Sequence, residues 1–535
     1  MEIYKQGQDR NQQLLFPPSL DELVDENNSV RAIDSYVDIL DIKKLGFINT
    51  RKSNNVDGQK AYSPQLLLKI YIYGYINKVR SSRMLEREIR RNIELMWLCS
   101  GLTPTYRTIS QFRADNYEAL KQVFKEFVLL CKNIDLIGDG LKALDGAFLR
   151  ANASKNKLIL KSSIQKDIPK IEEKITNYLT SLEYADKQMQ PKKTIDKLPK
   201  NLRKLKYQKE QLDTNLKLLE KLDKTQFNST DKDATLMVKP SHNLMAYNSQ
   251  TVVDDKYKFI VATDITSKGS DLQELHNMSI QTKENLELTK NDKLDIVADT
   301  GYYSAKEFRK CEEDNINAYV PEANTTKAQQ DKNKFSRDKF IYDETSDCYI
   351  CPNDTKLLKT PTPQNKGDKI NHIYRSPSAN CNNCKLRDKC ITTKTKYKQI
   401  YRWEYEVIVE KHKSKMKTTV AKDIVKKRGS LVEHQFGTIK RTLGWDHFLV
   451  RGTKKVSGEN ALIMFTYNFK RLLNLIEITL FKKLCLAIKN KDLTKIREDI
   501  AEYILLFNLY LIYFIKIIFM VQFYQLKIRD KSEIA

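Results

Sequence analysis

The fold depends on the stretch Leu141-Lys-Ala-Leu-Asp-Gly-Ala-Phe-Leu149. Apolar residues occupy both faces of this run, which is the pattern of a strand buried inside a sheet. One carboxylate, Asp145, stands in its middle. A buried lone carboxylate needs a compensating partner, and a metal ion would supply one. The stretch therefore predicts a core strand that carries an acidic ligand.

A second predicted strand, residues 294–299, ends on another carboxylate, Asp299. A Thr-Gly pair interrupts the chain after it, a capping box of Ser304 and Glu307 predicts a helix, and residues 316–320 predict the next strand. A strand-helix-strand unit implies a parallel pair, and parallel strands gather functional residues at their carboxyl ends. We therefore expect Asp299 at the functional edge of the sheet.

A third acidic residue, Glu433, lies on a helix predicted from about Ser430 to Leu443. An apolar stripe seats this helix against the sheet and consists of Val432, Phe436, Ile439 and Leu443. Glu433, Gly437 and Lys440 share the adjoining face, because they lie at i, i+4 and i+7. We expect Glu433 to complete a metal site, Gly437 to leave room for a DNA backbone and Lys440 to meet a phosphate.

Two strand aspartates and a helix glutamate suit phosphoryl transfer. Mg²⁺ or Mn²⁺ prefers carboxylate oxygens and keeps positions open for substrate and water. Two such ions would activate the attacking oxygen and stabilise the leaving one. Taken separately, Asp145 is equally explained as a strand-end cap, Asp299 as a turn former and Glu433 as an exposed helix carboxylate. Their sequence contexts must decide.

The rest of the chain alternates between helical and mixed segments. Two amphipathic runs within 168–220, separated near Pro191, predict an antiparallel helical hairpin, and strands at 244–253 and 259–265 predict a β-hairpin. The sequence thus predicts an α+β or α/β protein with a helical N-terminal DNA-binding domain at 1–135, core parts at 136–165 and 226–322, a helical-hairpin insertion at 166–225, a cysteine-containing insertion at 323–400, a last core segment with the Glu433 helix at 401–475 and an apolar tail at 476–535.

Arginines recur at helical spacing in the N-terminal segment, at Arg80, Arg83, Arg87, Arg90 and Arg91. A polar turn predicted at 103–108 and a helix predicted at 116–132 follow them. This arrangement is typical of a helix-turn-helix that faces a phosphate backbone. The alternative is a solvated basic face on an ordinary helical bundle.

Charge points to the same class of partner. Lysine and arginine number 93 against 68 aspartate and glutamate, a formal net charge of +25. Nucleic acid fits this excess, although abundant lysine can also serve solubility alone. Residues 1–16 lack the apolar stretch of a secretion signal, so we expect a cytoplasmic protein. The apolar tail 503–526 contains Lys516, which makes a packed terminal helix a better interpretation than a membrane span.

Nine cysteines in a cytoplasmic chain are expected to be reduced. Cys351, Cys381, Cys384 and Cys390 have a spacing that suits tetrahedral zinc, with Cys348 as a spare. The sequence therefore predicts a structural zinc site in the cysteine-containing insertion. A loop with free thiols is the alternative.

The three acidic residues lie inside longer motifs, Leu-Asp-Gly-Ala-Phe-Leu-Arg-Ala-Asn-Ala-Ser (144–154), Ala-Asp-Thr-Gly-Tyr-Tyr-Ser (298–304) and Val-Glu-His-Gln-Phe-Gly-Thr-Ile-Lys-Arg (432–441). In this order they resemble the three acidic motifs of bacterial insertion-sequence DDE transposases. Further segments agree, among them Arg107-Thr-Ile-Ser-Gln-Phe-Arg and Tyr467-Asn-Phe-Lys-Arg. The resemblance covers roughly Leu15 to Arg471.

This resemblance implies an RNase H-like mixed-sheet core with Asp145, Asp299 and Glu433 as the catalytic, metal-binding triad. It also implies a cysteine-containing insertion before the glutamate. Relatives often carry an arginine separated from the glutamate by three residues, but Gly429 occupies that position here and the nearest arginine is Arg428. The candidate DNA contacts are Lys440, Arg428, Arg83, Arg87, Arg90, Arg91 and Arg107.

The implied activity is transposition by a bacterial, nucleoid-associated protein that binds terminal inverted repeats and target DNA. It cleaves with Mg²⁺ or Mn²⁺, and the freed 3′-hydroxyl attacks the target. At least a homodimer is expected on DNA, because two ends are joined in one event. Two alternatives are a DNA-binding remnant that has lost catalysis, suggested by the apolar tail, and an RNase H-like nuclease of another pathway.

Overall fold

The structure is a computed structural model that describes residues 18–48, 60–187, 198–238, 243–322, 335–366, 369–392, 394–510 and 516. Its helices are α1 (Ser29–Ile39), α2 (Pro64–Ile76), α3 (Ser82–Ile89), α4 (Ile93–Leu98), α5 (Tyr106–Asp115), α6 (Tyr117–Asn133), α7 (Lys161–Lys187), α8 (Leu198–Lys221), α9 (Leu275–Asn285), α10 (Ala305–Glu313), α11 (Ser378–Asn382), α12 (Arg387–Cys390), α13 (Glu406–Met416), α14 (Thr419–Gly437), α15 (Thr453–Leu475) and α16 (Ile478–Lys489). A further helix spans 494–510.

The strands are β1 (Lys142–Arg150), β2 (Leu158–Leu160), β3 (Gln226–Asn228), β4 (Thr235–Val238), β5 (Asn243–Asp254), β6 (Ile260–Thr266), β7 (Leu294–Val297), β8 (Ile316–Tyr319), β9 (Ile341–Asp343), β10 (Cys348–Ile350), β11 (Lys356–Lys359), β12 (Gln364–Lys366), β13 (Lys369–Arg375) and β14 (Gln399–Trp403). The protein therefore mixes α and β structure, as the sequence predicts.

The N-terminal region is helical, and local capping explains where its helices begin. Ser63 accepts a hydrogen bond from the Leu66 N–H at 3.2 Å, with Pro64 at the first helical position. Ser19 and Glu22 exchange the two hydrogen bonds of a capping box, at 3.1 and 3.3 Å, but they do so in a turn and not at an α-helix.

The central sheet has the order β4-β5-β1-β7-β8, with β6 also paired to β5. Strands β5 and β6 are antiparallel, which confirms the predicted hairpin, and β7 and β8 are parallel on either side of α10. Strand β1 is antiparallel to β5 and parallel to β7, with Ala143 opposite Val297. Asp145 and Asp299 each lie two residues further along, so they reach the same edge of the sheet.

Two insertions interrupt this core. Helices α7 and α8 pack against each other above the short β2-β3 pair, and Ile164, Leu219 and Phe227 form the buried cluster at their base. This confirms the helical hairpin, while Pro191 lies outside the described residues. The cysteine-containing region forms a second sheet, with the order β12-β13-β11-β10-β9 and β14 paired to β13.

Three local predictions were wrong. Helix α5 begins at Tyr106, inside the predicted polar turn. Helix α14 begins at Thr419 and not near Ser430, and after Gly437 the chain continues as a short π-helical segment, Thr438–Thr442. Ser304 does not cap α10, because the carboxylate of Glu307 instead accepts hydrogen bonds from the His276 N–H at 3.1 Å and from Lys310 at 3.0 Å.

One continuous hydrophobic cluster joins the N-terminal helices to the central sheet and to α15. Tyr75 of α2 stacks on Trp445 with 4.0 Å between ring centroids, and the Arg80 guanidinium lies 4.6 Å from the centroid of the same indole. The predicted apolar stripe of α14 is buried as well. The N-terminal helices therefore pack directly on the part of the molecule that carries the acidic residues.

Over the described ranges, no helix combines the length and the apolar character that a bilayer span requires. The helix 494–510 includes the first part of the apolar tail, and exposes Leu505, Leu506 and Leu509. Apart from residue 516, the remainder of the predicted tail helix lies outside the described residues.

Candidate active site

Asp145 stands in the middle of β1, opposite Thr251 of β5. Its side chain is 21% exposed. Burial raises the pKa of Asp145 to about 6, opposed by the nearby Arg428 guanidinium and assisted by the negative charge of Asp299. The folded protein thus holds a carboxylate whose charge is poorly hydrated and is stabilised by a neighbouring cation.

Asp299 follows β7 directly, and its Oδ1 accepts a hydrogen bond from the Gly301 N–H at 2.8 Å. This bond caps the short 3₁₀ turn Thr300–Tyr302, so Asp299 is a turn former as well as a site residue. The side chain remains 44% exposed. The turn therefore fixes Oδ1 of Asp299. The other oxygen, Oδ2, contacts Arg428, and Arg428 also contacts Asp145.

Arg428, on α14, lies between the two aspartates. Its Nη2 is 3.1 Å from Asp145 Oδ1 and 3.5 Å from Asp299 Oδ2, while its Nε is buried without a hydrogen-bond partner. A cation held by two carboxylates uses the oxygen donors that Mg²⁺ and Mn²⁺ prefer. The donor set of Asp145 and Asp299 therefore fits a divalent metal ion.

Glu433 lies on the same helix as Arg428, and its side chain is exposed. Its Oε1 is 3.6 Å from the position that a Cβ on Gly429 would take. Gln435 donates to the Thr251 hydroxyl at 2.9 Å, and Val432 packs with residues of β1 and β7, so α14 is anchored over the strands of the two aspartates. Within the described ranges, no three His, Cys, Asp or Glu side chains are arranged to hold a metal ion, so Glu433 is not gathered with the aspartates.

Lys440 and Gly437 follow on the last turns of this element. The Lys440 Nζ lies 5.6 Å from the centroid of the Phe436 ring. Nothing lies within 4 Å of the position that a Cβ on Gly437 would take. The open space expected at Gly437 is therefore present beside Lys440.

The N-terminal arginines form an exposed basic surface on α3, the turn after it and α5. Its members are Arg83, Arg87, Arg90, Arg91 and Arg107. The guanidinium groups of Arg83 and Arg107 lie 5.1 and 6.0 Å from the centroid of the Tyr106 ring. Arg90 pairs with Glu86 and Arg91 pairs with Glu88. The surface thus combines two arginines around an aromatic ring with two arginines that have acidic neighbours.

The four cysteines of the predicted zinc site, Cys351, Cys381, Cys384 and Cys390, line one cavity beside the second sheet, although no three of these described side chains are arranged to hold a metal ion. Cys351 Sγ accepts hydrogen bonds from the Asn353 and Thr355 N–H groups, at 3.4 and 3.3 Å. Such bonds stabilise a thiolate, the form that binds zinc. Cys348 is buried in β10 and is not among the residues that line the cavity.

Asp271 lies in the connection between β6 and α9. Its carboxylate nevertheless reaches the site: Oδ1 accepts hydrogen bonds from the side-chain amides of Asn248 and Gln250, each at 2.7 Å. The signal for this contact is the glycine that follows Asp145, because a Cβ on Gly146 would lie 3.1 Å from Asp271 Oδ1.

Comparisons with known proteins match two parts of the chain. Residues 350–473 match the family model of a transposase DDE domain, and residues 18–115 match that of a transposase domain (DUF772). A search of curated proteins gives no significant match. Among solved structures, a piggyBac transposase synaptic complex with hairpin DNA is similar at 9% identity and a TM-score of 0.30, over 89% of this chain and 85% of that one, which is too distant to establish a shared fold.

The DDE-domain match contains the third acidic motif, whereas the DUF772 match ends before the first one, so Asp145 and Asp299 lie outside both matches. The first includes Arg428, Glu433 and Lys440, and the second includes the basic surface of α3 and α5. DDE transposases act on DNA and generally use divalent metal ions. These two matches indicate an insertion-sequence DDE transposase and support the function of a DNA transposase.

Proposed function

We propose that this transposase cleaves the ends of its element and joins them to target DNA with Asp145, Asp299 and Glu433 as its acidic triad. The sheet supports an RNase H-like core for this chemistry. Strands β6, β5 and β1 are successively antiparallel, and β1, β7 and β8 are successively parallel. This strand order explains why Asp145 and Asp299 lie at the same edge of the sheet, because β1 and β7 are parallel neighbours.

One observation carries the proposal: Asp145 and Asp299 both contact Arg428, at 3.1 and 3.5 Å, and Arg428 belongs to the helix that presents Glu433. Two carboxylates from adjacent strands and a third from the covering helix give oxygen ligands on two sides of one space. For Glu433 to join the pair, it would have to move towards the space that Arg428 now occupies.

Divalent metal ions, when bound by these carboxylates, supply an activated oxygen nucleophile and stabilise the leaving oxygen. The chain's own residues orient the reaction. Asp145 and Asp299 would hold the metal ions, while Lys440 and Arg428 compensate the charge of the scissile phosphate. Gly437 leaves the space through which a DNA backbone approaches. This chemistry needs no covalent bond between protein and DNA.

Recognition of the DNA is assigned to the basic surface of α3 and α5. We infer that Arg83, Arg87, Arg90, Arg91 and Arg107 contact the phosphates of the terminal inverted repeats, and that the protein works as a homodimer or larger assembly. Structural zinc at Cys351, Cys381, Cys384 and Cys390 would stabilise the second sheet. The cavity that these cysteines share and the N–H groups directed at Cys351 support this assignment.

The test uses the full chain, Mg²⁺ or Mn²⁺, and the DNA that flanks the gene. Cleavage at the element ends, followed by joining to a target plasmid, is expected, with loss of both in Asp145→Asn, Asp299→Asn and Glu433→Gln. Asp295→Asn, on β7 and four residues before Asp299, is the matched control and retains activity. Cleavage without joining would indicate a nuclease, wild-type protein that binds but never cleaves would indicate a remnant, and an active Asp299→Asn variant would refute the triad.

A further inference from the structure

The glycines of the first two acidic motifs both face one further carboxylate. A Cβ on Gly146 would lie 3.1 Å from Asp271 Oδ1, and a Cβ on Gly301 would lie 3.6 Å from Asp271 Oδ2. Asp271 therefore occupies the space between the backbone beside Asp145 and the backbone beside Asp299. A side chain at Gly146 would force the Gln250 amide to move, since its nitrogen lies only 2.6 Å from the same Cβ position, and that amide is one of the two donors to Asp271.

The hydrogen bonds of Asp271 fix its position without neutralising its charge. Oδ1 accepts from the amides of Asn248 and Gln250, and Oδ2 is left to face Gly301 and Asp299. In the described part of the chain both donors are neutral amides, and no lysine or arginine pairs with this carboxylate. A cation that binds Asp271 would therefore not have to displace an ion-pair partner from it.

A second observation points to a ligand in this space. Asn248 is 1% exposed, and its side-chain oxygen Oδ1 is buried without a hydrogen-bond partner. That oxygen lies 3.0 Å from the Cβ position over Gly146, beside Asp271 Oδ1. Leaving a buried carbonyl oxygen unsatisfied is costly, and a bound cation or its water would remove the cost.

We propose that Asp271 is a fourth carboxylate of the active site, which holds a divalent cation together with Asp299. The inference rests on the proposed function of the acidic triad and adds one ligand to it. It assigns a role to Gly146 as well, because a Cβ there would crowd the Asp271 carboxylate at 3.1 Å. Asn248 and Gln250 act as positioning residues that orient Asp271.

The first experiment measures binding of Mn²⁺ to the full-length protein by titration calorimetry. Asp271→Asn is expected to weaken Mn²⁺ binding by about tenfold or more, in the range found for disturbed metal sites. Asp264→Asn, the same change on the preceding strand β6, is the matched control and should bind Mn²⁺ as wild type does. Circular dichroism and thermal unfolding establish that each variant is folded.

The second experiment uses Asp271→Cys, which keeps an anionic ligand of similar length should the asparagine variant fail to fold. A thiolate prefers Mn²⁺ over Mg²⁺, so the ratio of Mn²⁺- to Mg²⁺-supported cleavage should rise by about tenfold or more; a purely structural Asp271 would leave it unchanged. Unchanged Mn²⁺ affinity in Asp271→Asn together with an unchanged ratio would overturn the assignment while leaving the triad intact. If Asp299→Asn also binds Mn²⁺ and cleaves normally, the proposed function itself fails.

Discussion

Arg428 Nη2 donates a hydrogen bond to Asp145 Oδ1 at 3.1 Å, between residues 283 positions apart in the sequence. The pair couples the late helix α14 to the central strand β1. It also places a permanent cation beside a carboxylate whose burial opposes ionisation. The charge state of Asp145 therefore depends on a residue from the opposite end of the catalytic segment.

Replacing Arg428 by glutamine is expected to shift the acidic limb of the cleavage pH profile to higher pH. Burial raises the pKa of Asp145 to about 6, and the guanidinium lowers it. Loss of the guanidinium raises the pKa of Asp145 further, by roughly one unit. Asp145 is then ionised only at higher pH. Cleavage rates between pH 5 and 9 measure the shift. Arg428→Lys keeps the positive charge and should shift less; an acidic limb that stays in place in Arg428→Gln would contradict the electrostatic role.

Asp145→Asn is expected to stabilise the metal-free protein at neutral pH. Because the folded pKa is raised from 3.8 to about 6, the stability linked to this group is fully present below about pH 4 and is lost as the pH rises through 6. An asparagine at this position does not ionise, so the variant does not lose this stability. The expected gain in the free energy of unfolding at neutral pH is roughly 1 to 3 kcal/mol. Urea unfolding at pH 7.5 and at pH 4 measures it, and the two proteins should converge at the lower pH. Asp295→Asn should show no such pH-dependent gain.

The positions of Asp145 and Asp299 could be predicted because the information is local. Continuous apolar runs identify buried strands, and a strand-helix-strand connection fixes β7 and β8 as parallel. The apolar stripe along α14 could also be predicted, because Val432, Phe436 and Ile439 repeat at helical spacing. Each of these features depends on residues close together in the sequence.

The start of α14 could not be predicted, because residues 419–429 are polar and rich in lysine, with only Ala421 fully buried. The helix is fixed there by contacts with the sheet, and the same contacts bring Arg428 to the aspartates. Glu307 failed as a capping residue for a similar reason, since it accepts a hydrogen bond from His276 of a distant segment. The contact of Asp271 with Asn248 likewise leaves no local pattern.

Gly437→Ala distinguishes the effect of Gly437 on helix stability from its effect on DNA binding. Gly437 has helical dihedral angles, φ −59° and ψ −50°, and its Cβ position is open. Alanine should therefore stabilise the helix by about 0.5 to 1 kcal/mol. If a DNA backbone passes over this point, the added methyl group should weaken DNA binding severalfold. Thermal unfolding and fluorescence anisotropy measure the two effects; unchanged DNA affinity would exclude close approach at Gly437.

Zinc content tests the cysteine cluster. Cys381→Ser should lose the roughly one zinc ion per chain that a four-thiolate site holds, and the second sheet should unfold at lower temperature. Cys348→Ser is the matched control, because Cys348 lies in the same sheet but does not line the cavity. Elemental analysis of protein expressed with added zinc gives the readout. If the wild-type protein contains no zinc, and if a chelator does not lower its unfolding temperature, the four cysteines are free thiols.

Glu459 of α15 connects the N-terminal helices to the core. It is fully buried; its Oε1 accepts from Tyr75 at 3.0 Å and Arg113 at 3.1 Å, and its Oε2 accepts from the Leu449 and Val450 N–H groups at 2.8 and 3.1 Å. Each carboxylate oxygen thus accepts two hydrogen bonds, whereas Arg113 Nε is buried without a hydrogen-bond partner. Removing only one partner leaves an uncompensated charge in the interior.

Glu459→Met is therefore expected to destabilise the protein by about 3 to 5 kcal/mol. The double variant Arg113→Met/Glu459→Met should cost less than the sum of the single changes, because it removes both charges together. Denaturant unfolding of the four proteins gives the coupling energy. The N-terminal helices share one hydrophobic cluster with the central sheet, so both should unfold in the same transition. An N-terminal region that melts first in Glu459→Met, with the core intact, would show that the basic surface of α3 and α5 moves independently of the acidic site.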